Sequence, residues 1–67
     1  MVYRRLKELR EDHDLTQKEI GTLIGIPQRT YSHYESGSHE IPLGVLIKLA
    51  KIYHVSADYI LELSDEK

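Results

Sequence analysis

The sequence predicts an all-α fold, a compact bundle of five helices without strands. Apolar residues recur at helical spacing in the longer segments, so each segment can bury one face and expose the other. Helix-start and helix-stop residues separate these segments, and the connections between them are short. The 67 residues form one small domain. We place this domain at residues 1–63 and expect the acidic residues 64–67 to form a frayed tail.

The first helix is predicted over residues 2–12. Leu6 and Leu9 lie three positions apart and are expected to face the core together. The charged side chains of this segment are expected in solvent, namely Arg4, Arg5, Lys7, Glu8 and Glu11. The following loop contains Asp14, a residue type that tolerates the left-handed backbone of a tight turn.

A second helix is predicted to begin near Gln17. Thr16 and Glu19 have the spacing of a capping box, in which each side chain accepts a hydrogen bond from the other residue's backbone N–H. Gly25 ends the helix, because glycine readily adopts the left-handed conformation favoured at that position. The apolar face is expected to contain Ile20, Leu23 and Ile24.

A third helix follows after a short turn. Pro27 suits its first turn, and Gly37 stops the helix, which we place at residues 27–36. Tyr31 and Tyr34 fall on its inner side. Its outer side carries Gln28, Arg29, Ser32 and His33. Two short helices joined in this way are typical of a DNA-binding helix-turn-helix, whose second helix enters the major groove.

Two further helices complete the predicted bundle. Pro42 opens the fourth helix, whose apolar residues have amphipathic spacing. This apolar face is expected to contain Leu43, Leu46, Ile47, Ala50 and Tyr53. Ser56 is a candidate N-cap, and a short fifth helix is predicted over residues 58–62.

Composition argues against several kinds of site. The chain contains no cysteine, so disulfides and thiolate metal sites are excluded. None of its four histidines has a second histidine three or four positions away, and we therefore predict neither a metal nor a cofactor. No Ser-His-Asp order, glycine-rich phosphate loop or evident carboxylate pair supports an enzyme. Without a membrane-length apolar run or a signal-peptide pattern, a cytoplasmic location is expected.

The formal net charge of −2 is the weakest feature of a DNA-binding interpretation, because basic surfaces supply most non-specific affinity. The charge is unevenly distributed. Residues 1–35 carry six Lys/Arg and six Asp/Glu, whereas residues 36–67 carry three and five. We therefore expect weak non-specific binding and a specificity that depends on a few hydrogen bonds.

An ordered set of short motifs resembles the phage Cro and repressor type of helix-turn-helix regulator, the XRE family. The resemblance covers nearly the whole chain, with the helix-turn-helix at residues 17–36. The set consists of Leu15-Thr16-Gln17, Gly25-Ile26, Tyr34-Glu35, Gly37, Glu40-Ile41-Pro42-Leu43, Leu46-Ile47-Lys48-Leu49-Ala50 and Val55-Ser56-Ala57-Asp58-Tyr59. The resemblance implies the five-helix fold of phage-repressor DNA-binding domains. It also implies a transcriptional regulator, usually a repressor, that binds a palindromic operator in double-stranded DNA as a homodimer.

The resemblance further implies roles for individual residues. Gln17 matches a phosphate contact at the start of the second helix, and Arg10 and Glu35 match an internal ion pair. Base contacts are implied for Gln28, Arg29, Ser32 and His33. Phosphate contacts at the far edge are implied for Ser36, Ser38 and His39. The chemistry agrees, since glutamine pairs bidentately with adenine and arginine with guanine.

Three positions depart from the family pattern. Pro27 replaces a hydroxyl-bearing helix cap, and His54 stands where a glycine often ends the fourth helix. Tyr31 replaces a small aliphatic residue and is expected to pack against Gly21, where alanine is more usual. We hypothesise that the missing methyl group of Gly21 makes room for the tyrosine ring.

Apolar residues near the C-terminus predict a dimer interface. Ile60, Leu61 and Leu63 are hard to bury together in so small a bundle. Tyr59 is interpreted either as a packing residue or as an anchor of this interface.

Two alternatives stay open. The outer side of the third helix also fits the solvated face of an ordinary helix. The fold also fits a protein-interaction module such as an antitoxin or an anti-repressor target, and an antagonist protein is a further expected partner. Gln17, Gln28 and Arg29 distinguish the classes, because a protein-binding module has little need for all three.

Overall fold

Five α-helices make up the part of the chain that the computed structural model describes, residues 3–67. They are α1 (Arg4–Asp12), α2 (Gln17–Ile24), α3 (Gln28–Ser36), α4 (Leu43–Tyr53) and α5 (Ala57–Ile60). The predicted all-α class is therefore confirmed. The predicted start of the first helix at residue 2 lies outside the described residues.

Every helix contributes to one shared core. The buried apolar side chains are Tyr3, Leu6, Leu9, Ile20, Ile24, Tyr31, Tyr34, Leu46, Leu49, Tyr53 and Ile60. Burial of these side chains supplies the main driving force for folding, as it does in any small domain. Lys48 on α4 adds a polar link to α2, because its Nζ lies 3.4 Å from the carbonyl oxygen of Ile24 at the end of that helix.

The predicted caps and turns of the helix-turn-helix are confirmed. Thr16 and Glu19 form the complete capping box at the start of α2. Hydrogen bonds from the Thr16 backbone and side chain hold the pKa of Glu19 below its usual value. Gly25 and Gly37 end α2 and α3 with left-handed backbones, at φ 77° and 81°.

Three residues other than glycine share this left-handed geometry, among them Glu62 after α5. Asp14, predicted to tolerate it, has φ 56°, and His54 ends α4 with the same φ. The helix stop at His54 is thus made without the glycine that the family pattern favours, at some cost in backbone strain.

Both prolines lie one residue outside the helices that they were predicted to open. Pro27 and Pro42 have extended ψ angles of 150° and 147°, so the prediction that α3 begins at residue 27 is wrong by one position. A proline in this place still helps the helix. Its carbonyl oxygen accepts the first helical bond, at 3.1 Å from the Tyr31 nitrogen and 3.0 Å from the Leu46 nitrogen.

The last helix is shorter than the predicted 58–62 and begins one residue earlier. Ser56 caps α5 by accepting a hydrogen bond from the Tyr59 N–H at 3.0 Å. The helix stops after Ile60, because Glu62 adopts a left-handed backbone and the Leu63 N–H returns to the Asp58 carbonyl at 2.8 Å. This closure resembles a Schellman turn, which cannot continue a helix.

Three apolar side chains assigned to inner helix faces are exposed instead. Leu23 on α2 is 60% exposed, and on α4 Leu43 is 72% and Ile47 45% exposed. The inner stripe of α4 is formed by Leu46, Leu49 and Tyr53, which recur at positions i, i+3 and i+7. The sequence of α4 has more apolar residues than one buried face can hold, so spacing alone did not identify the buried set.

Gly21 is needed for the turn between α2 and α3, which corrects the hypothesis that its missing methyl group makes room for the Tyr31 ring. A Cβ atom at this position would lie 2.9 Å from the backbone oxygen of Ile26 and 3.6 Å from the nitrogen of Gln28. The close approach therefore involves the backbone that connects α2 to α3. Glycine lets the two helices of the motif approach each other at this point.

Candidate nucleic-acid interface

The α3 helix separates its polar residues from its apolar ones. Tyr31 and Tyr34 are buried against the core. On the other side, Gln28 and Arg29 in the first turn are exposed, and Ser32 and His33 in the next turn are partly exposed. The helical repeat brings these four side chains to one face. The predicted base-contacting residues thus form a continuous outward surface.

The three residues predicted to contact phosphates beyond α3 cluster at its C-terminal end. The hydroxyl oxygens of Ser36 and Ser38 lie 2.9 Å apart, and the rings of His33 and His39 have centroids 4.6 Å apart. The His39 backbone N–H donates to the His33 carbonyl at 3.3 Å. This turn therefore places two hydroxyls and two imidazoles beside one another at the edge of the polar face.

Arg10 and Glu35 form a close ion pair between α1 and α3. Arg10 Nε lies 2.7 Å from Glu35 Oε2, and Arg10 Nη2 lies 3.3 Å from Oε1. Their side chains are only 12% and 7% exposed. Burial acts to raise the pKa of Glu35, but the hydrogen bonds and charge of Arg10, with the nearby Tyr31 hydroxyl and Gln17 amide, outweigh it and hold that pKa below its usual value.

This pair changes the electrostatics of the polar face. Glu35 is the one acidic residue of α3, and its charge is neutralised inside the protein. The exposed side of α3 therefore presents Arg29 without a nearby carboxylate from its own helix. The overall charge of −2 understates how well this face suits a polyanion.

Gln17 lies at the first position of α2 and is partly exposed. Its Nε2 lies 3.4 Å from Oε1 of Glu35. The residue predicted to contact a phosphate is thus joined to the end of α3. This link was missed in the sequence because the two residues are 18 positions apart and neither carries a local motif for it.

Two tyrosine hydroxyls are buried beside this cluster. The Tyr31 and Tyr53 hydroxyls have no well-aligned hydrogen bond to any group in residues 3–67. Burial, with Glu35 and Tyr53 close by, raises the pKa of Tyr31, and burial raises the pKa of Tyr53 to about 12. Both phenols therefore stay neutral in the folded protein, and neither hydroxyl is exposed on the polar face.

The four residues predicted for a dimer interface differ in how far they are exposed to solvent. Ile60 is fully buried in the core, which corrects its assignment, because a side chain without exposed surface cannot contact a second copy. Tyr59 and Leu61 are partly exposed, and Leu63 is 74% exposed. The Tyr59 ring is partly covered from within the chain, since the Arg5 guanidinium lies 4.2 Å from its centroid.

Arg5 itself was predicted to be solvated, and this expectation was wrong. Its side chain is 17% exposed and donates to the carbonyl oxygens of Tyr59, at 2.7 Å, and Ser64. It also lies 2.9 Å from a carboxylate oxygen of Asp65, so the tail predicted to be frayed contacts α1. Helical spacing offered a clue, because Arg5 lies four positions before the buried Leu9 and long side chains at such edges pack their stems.

Other kinds of site find little support in residues 3–67. That part of the chain has no group of three histidine, cysteine or carboxylate residues arranged to hold a metal ion. Among the same residues, no helix has the length and apolar character needed to span a membrane. A shallow depression of about 380 Å³ lies on α2, lined by Leu15, Lys18, Glu19, Thr22 and Leu23.

A structure of the P22 c2 repressor in complex with a synthetic operator has the same fold. It superimposes with a TM-score of 0.81, at 23% sequence identity, over 90% of this chain and 92% of that one. The five-helix arrangement is therefore that of a phage-repressor domain.

Sequence relatives include an HTH-type transcriptional regulator, YobD, of Bacillus subtilis, which is 44% identical over 98% of this chain and 59% of its own length. The CTXphi transcriptional repressor RstR of Vibrio cholerae is 38% identical over 82% of this chain and 50% of its own. The antitoxin PezA of Streptococcus pneumoniae is 32% identical over 84% of this chain and 35% of its own.

This chain thus spans between about one third and three fifths of the length of these relatives. The helix-turn-helix family model matches residues 6–60, which include all five helices except the start of α1. The match, the fold and the capped α2–α3 unit agree, and the chain belongs to the helix-turn-helix family whose members include HTH-type transcriptional regulators.

Proposed function

We propose that this domain is a sequence-specific DNA-binding regulator of transcription, acting as a repressor, with α3 in the major groove. It binds a palindromic operator as a homodimer in the cytoplasm, with half-sites about one helical turn apart. It acts by binding rather than by catalysis. Repression follows when the bound dimer blocks access of polymerase to the promoter.

One observation carries this proposal. The face of α3 that includes Gln28 and Arg29 is polar and exposed, and the single carboxylate of the helix is withdrawn into a buried ion pair. Amide and guanidinium groups read adenine and guanine in the major groove. Similarity to HTH-type regulators, among them the repressor RstR, supports the same function.

A second candidate function is protein interaction, as in an antitoxin. Similarity to PezA favours it, and so do the exposed leucine and isoleucine side chains of α2 and α4. Leu43 and Ile47 lie one turn apart on α4, but exposed apolar side chains are common on soluble proteins and do not identify a partner by themselves. The polar face of α3 favours DNA binding.

Site selection from a pool of random duplexes tests the proposal. The purified 67-residue chain is incubated with the pool at near-physiological salt, and bound duplexes are amplified and sequenced. We expect a palindromic motif to emerge. The affinity of the protein for this motif should fall on the order of tenfold to a hundredfold in Gln28→Ala and in Arg29→Ala, since a bidentate base contact contributes about 1–3 kcal/mol.

Arg4→Ala is the matched control for Arg29→Ala. Arg4 is 75% exposed on α1, so its removal changes the net charge equally while leaving α3 intact. Equal losses in the two arginine variants would mean that charge alone is involved, and would contradict base reading. Failure to enrich any motif would contradict DNA recognition and leave the interaction module as the better account.

A further inference from the structure

Three structural elements of the domain meet at the carboxylate of Glu35. Oε2 accepts from Arg10 Nε at 2.7 Å, while Oε1 is shared by Arg10 Nη2 at 3.3 Å and Gln17 Nε2 at 3.4 Å. The remaining Arg10 nitrogen, Nη1, donates to the Leu15 carbonyl at 2.9 Å, two residues before Gln17. Arg10 therefore binds both the segment that leads into α2 and the last turn of α3, and Gln17 joins the cluster through Glu35.

The chemistry of this contact determines which way the Gln17 side chain is turned. A carboxylate can only accept hydrogen bonds, whereas a carboxamide has a donor end and an acceptor end. Gln17 must therefore present its NH₂ group to Glu35. An NH₂ group carries two N–H bonds, so one N–H stays available for a second acceptor.

We propose that Glu35 is a positioning residue for DNA binding, which orients the Gln17 carboxamide so that its second N–H donates to a DNA phosphate. This inference rests on the proposed function and deepens it. Phosphate contacts set the register of a protein on the duplex. The buried ion pair thereby fixes the spacing between a phosphate contact on α2 and the base-reading face of α3.

Glu35→Gln reverses the donor pattern while keeping the side-chain shape. The short bond from Arg10 Nε requires an oxygen at the Oε2 position, so the new NH₂ group takes the Oε1 position and gives up the longer 3.3 Å bond from Arg10 Nη2. Gln17 would then meet a donor and must turn its carbonyl oxygen inward. An oxygen replaces the N–H that faces the phosphate, and the contact is lost.

The free protein provides the first measurement. Gln17 and Gln28 are the only residues of the chain with side-chain amides, so the wild-type ¹⁵N–¹H spectrum contains two pairs of side-chain amide resonances, and Glu35→Gln adds a third pair of its own. Glu35→Gln should shift the Gln17 pair and leave the Gln28 pair in place. Unchanged Gln17 resonances would overturn the proposed orientation whether or not the protein binds DNA.

The second measurement is a double-mutant cycle on the duplex recovered by site selection. Gln17→Ala and Glu35→Gln should each weaken binding on the order of tenfold, as expected for a hydrogen bond to a charged group. Because both changes remove the same contact, the double variant should also lose about tenfold. A hundredfold loss in the double variant would show independent effects and overturn the inference.

A control separates positioning from general destabilisation. Leu49→Val truncates a fully buried side chain of α4 and weakens the core while every side chain of the Glu35 cluster stays as in the wild type. Below its unfolding temperature, the Leu49→Val protein should bind the selected duplex as tightly as the wild type does. If Gln17→Ala weakens binding and Glu35→Gln does not, the positioning role fails while the proposed function stands; if the wild type binds no duplex, the proposed function fails first.

Discussion

The helix-turn-helix segment (residues 16–37) and the C-terminal region (residues 38–67) are anchored to α1 by different arginines, Arg10 and Arg5. In the first, a capping box and two left-handed glycines define the helix ends, and a buried ion pair joins α3 to α1. In the second, α5 is a single turn whose position depends on Arg5 of α1. Local residues thus decide where helices begin and end, whereas side chains distant in sequence decide where they pack.

Arg10→Met should cause the largest loss of unfolding free energy, because it removes the ion pair that joins α1 to α3 of the helix-turn-helix segment. Glu35 would keep a buried charge without its guanidinium partner. Breaking a buried pair in this way destabilises proteins by about 3–5 kcal/mol, and we expect a loss near 3 kcal/mol because the pair is not wholly buried. Urea unfolding of the variant and the wild type at pH 7 measures this loss.

Acid pH provides the control for this prediction. In the wild type the pKa of Glu35 is lowered, so its stabilising contribution is present above the usual glutamate pKa and is lost as the pH falls through the folded value. In Arg10→Met, burial raises the pKa, so protonation relieves the buried charge. The difference in unfolding free energy should therefore shrink between pH 7 and pH 4; a constant difference would contradict the ion-pair account.

Arg5→Ala should weaken the C-terminal region next most strongly. The substitution removes a guanidinium stacked on Tyr59 and two hydrogen bonds to carbonyl oxygens. We expect a loss of about 2 kcal/mol in unfolding free energy and faster hydrogen exchange in residues 57–64. Exchange in α2 and α3 should change little if the two regions are held independently.

Arg4→Ala is the neighbouring control. Arg4 also contacts this region, through a 2.9 Å ion pair with Glu62, but it is 75% exposed. Such surface pairs contribute little, so the loss should stay under about 0.5 kcal/mol. Similar losses in the two variants would mean that charge near the C-terminus, and not the buried contacts of Arg5, holds α5.

Two helical glycines, one in each region, should respond to alanine with opposite signs. At Gly21 the new methyl group meets the Ile26 carbonyl oxygen at 2.9 Å, so the turn must shift, and we expect a net loss of about 1–2 kcal/mol. At Gly44 the methyl group has open space around it. Alanine there should raise stability by about 0.5 kcal/mol through helix propensity. Thermal unfolding of both variants measures the difference, and a stabilised Gly21→Ala would show that the turn can adapt.

The helix-turn-helix could be predicted from the sequence because its determinants are local. Thr16 with Glu19, and the glycines at 25 and 37, act within a few residues of their own position. The outward set on α3 follows from the helical repeat once Tyr31 and Tyr34 are placed inside. The same locality explains why the boundary errors at Pro27 and Pro42 are single residues.

What the sequence did not predict depends on contacts between distant segments. Leu43 and Ile47 match an amphipathic pattern as well as Leu46 and Leu49 do, and only the packing of α4 selects the second pair. Ile60 was assigned to a dimer interface because three apolar residues near the C-terminus looked too many to bury in so small a bundle, yet the core accommodates Ile60 fully. The hydrogen bond between Gln17 and Glu35 likewise follows from tertiary packing.

Tyr53→Phe should have the smallest effect, at the junction between the two regions. The Tyr53 hydroxyl is buried without a well-aligned partner in residues 3–67, so it contributes little net stability. At pH 7 we expect a change within about 0.5 kcal/mol of zero, in either direction. Tyr31→Phe is the comparison, and it should lose about 0.5–1 kcal/mol because its hydroxyl lies close to Glu35.

Alkaline pH should enlarge the effect of Tyr53→Phe. The pKa of Tyr53 is about 12 in the folded protein and near 10 in an unfolded chain. Only the unfolded state ionises between these values, so the wild type loses stability as the pH rises above 10, and phenylalanine removes that loss. Relative to the wild type, the variant should therefore be more stable at pH 11 than at pH 7, as measured by the free energy of unfolding. A Tyr53→Phe protein that is more than 1 kcal/mol less stable at pH 7 would instead show that the hydroxyl makes a strong hydrogen bond across the two regions.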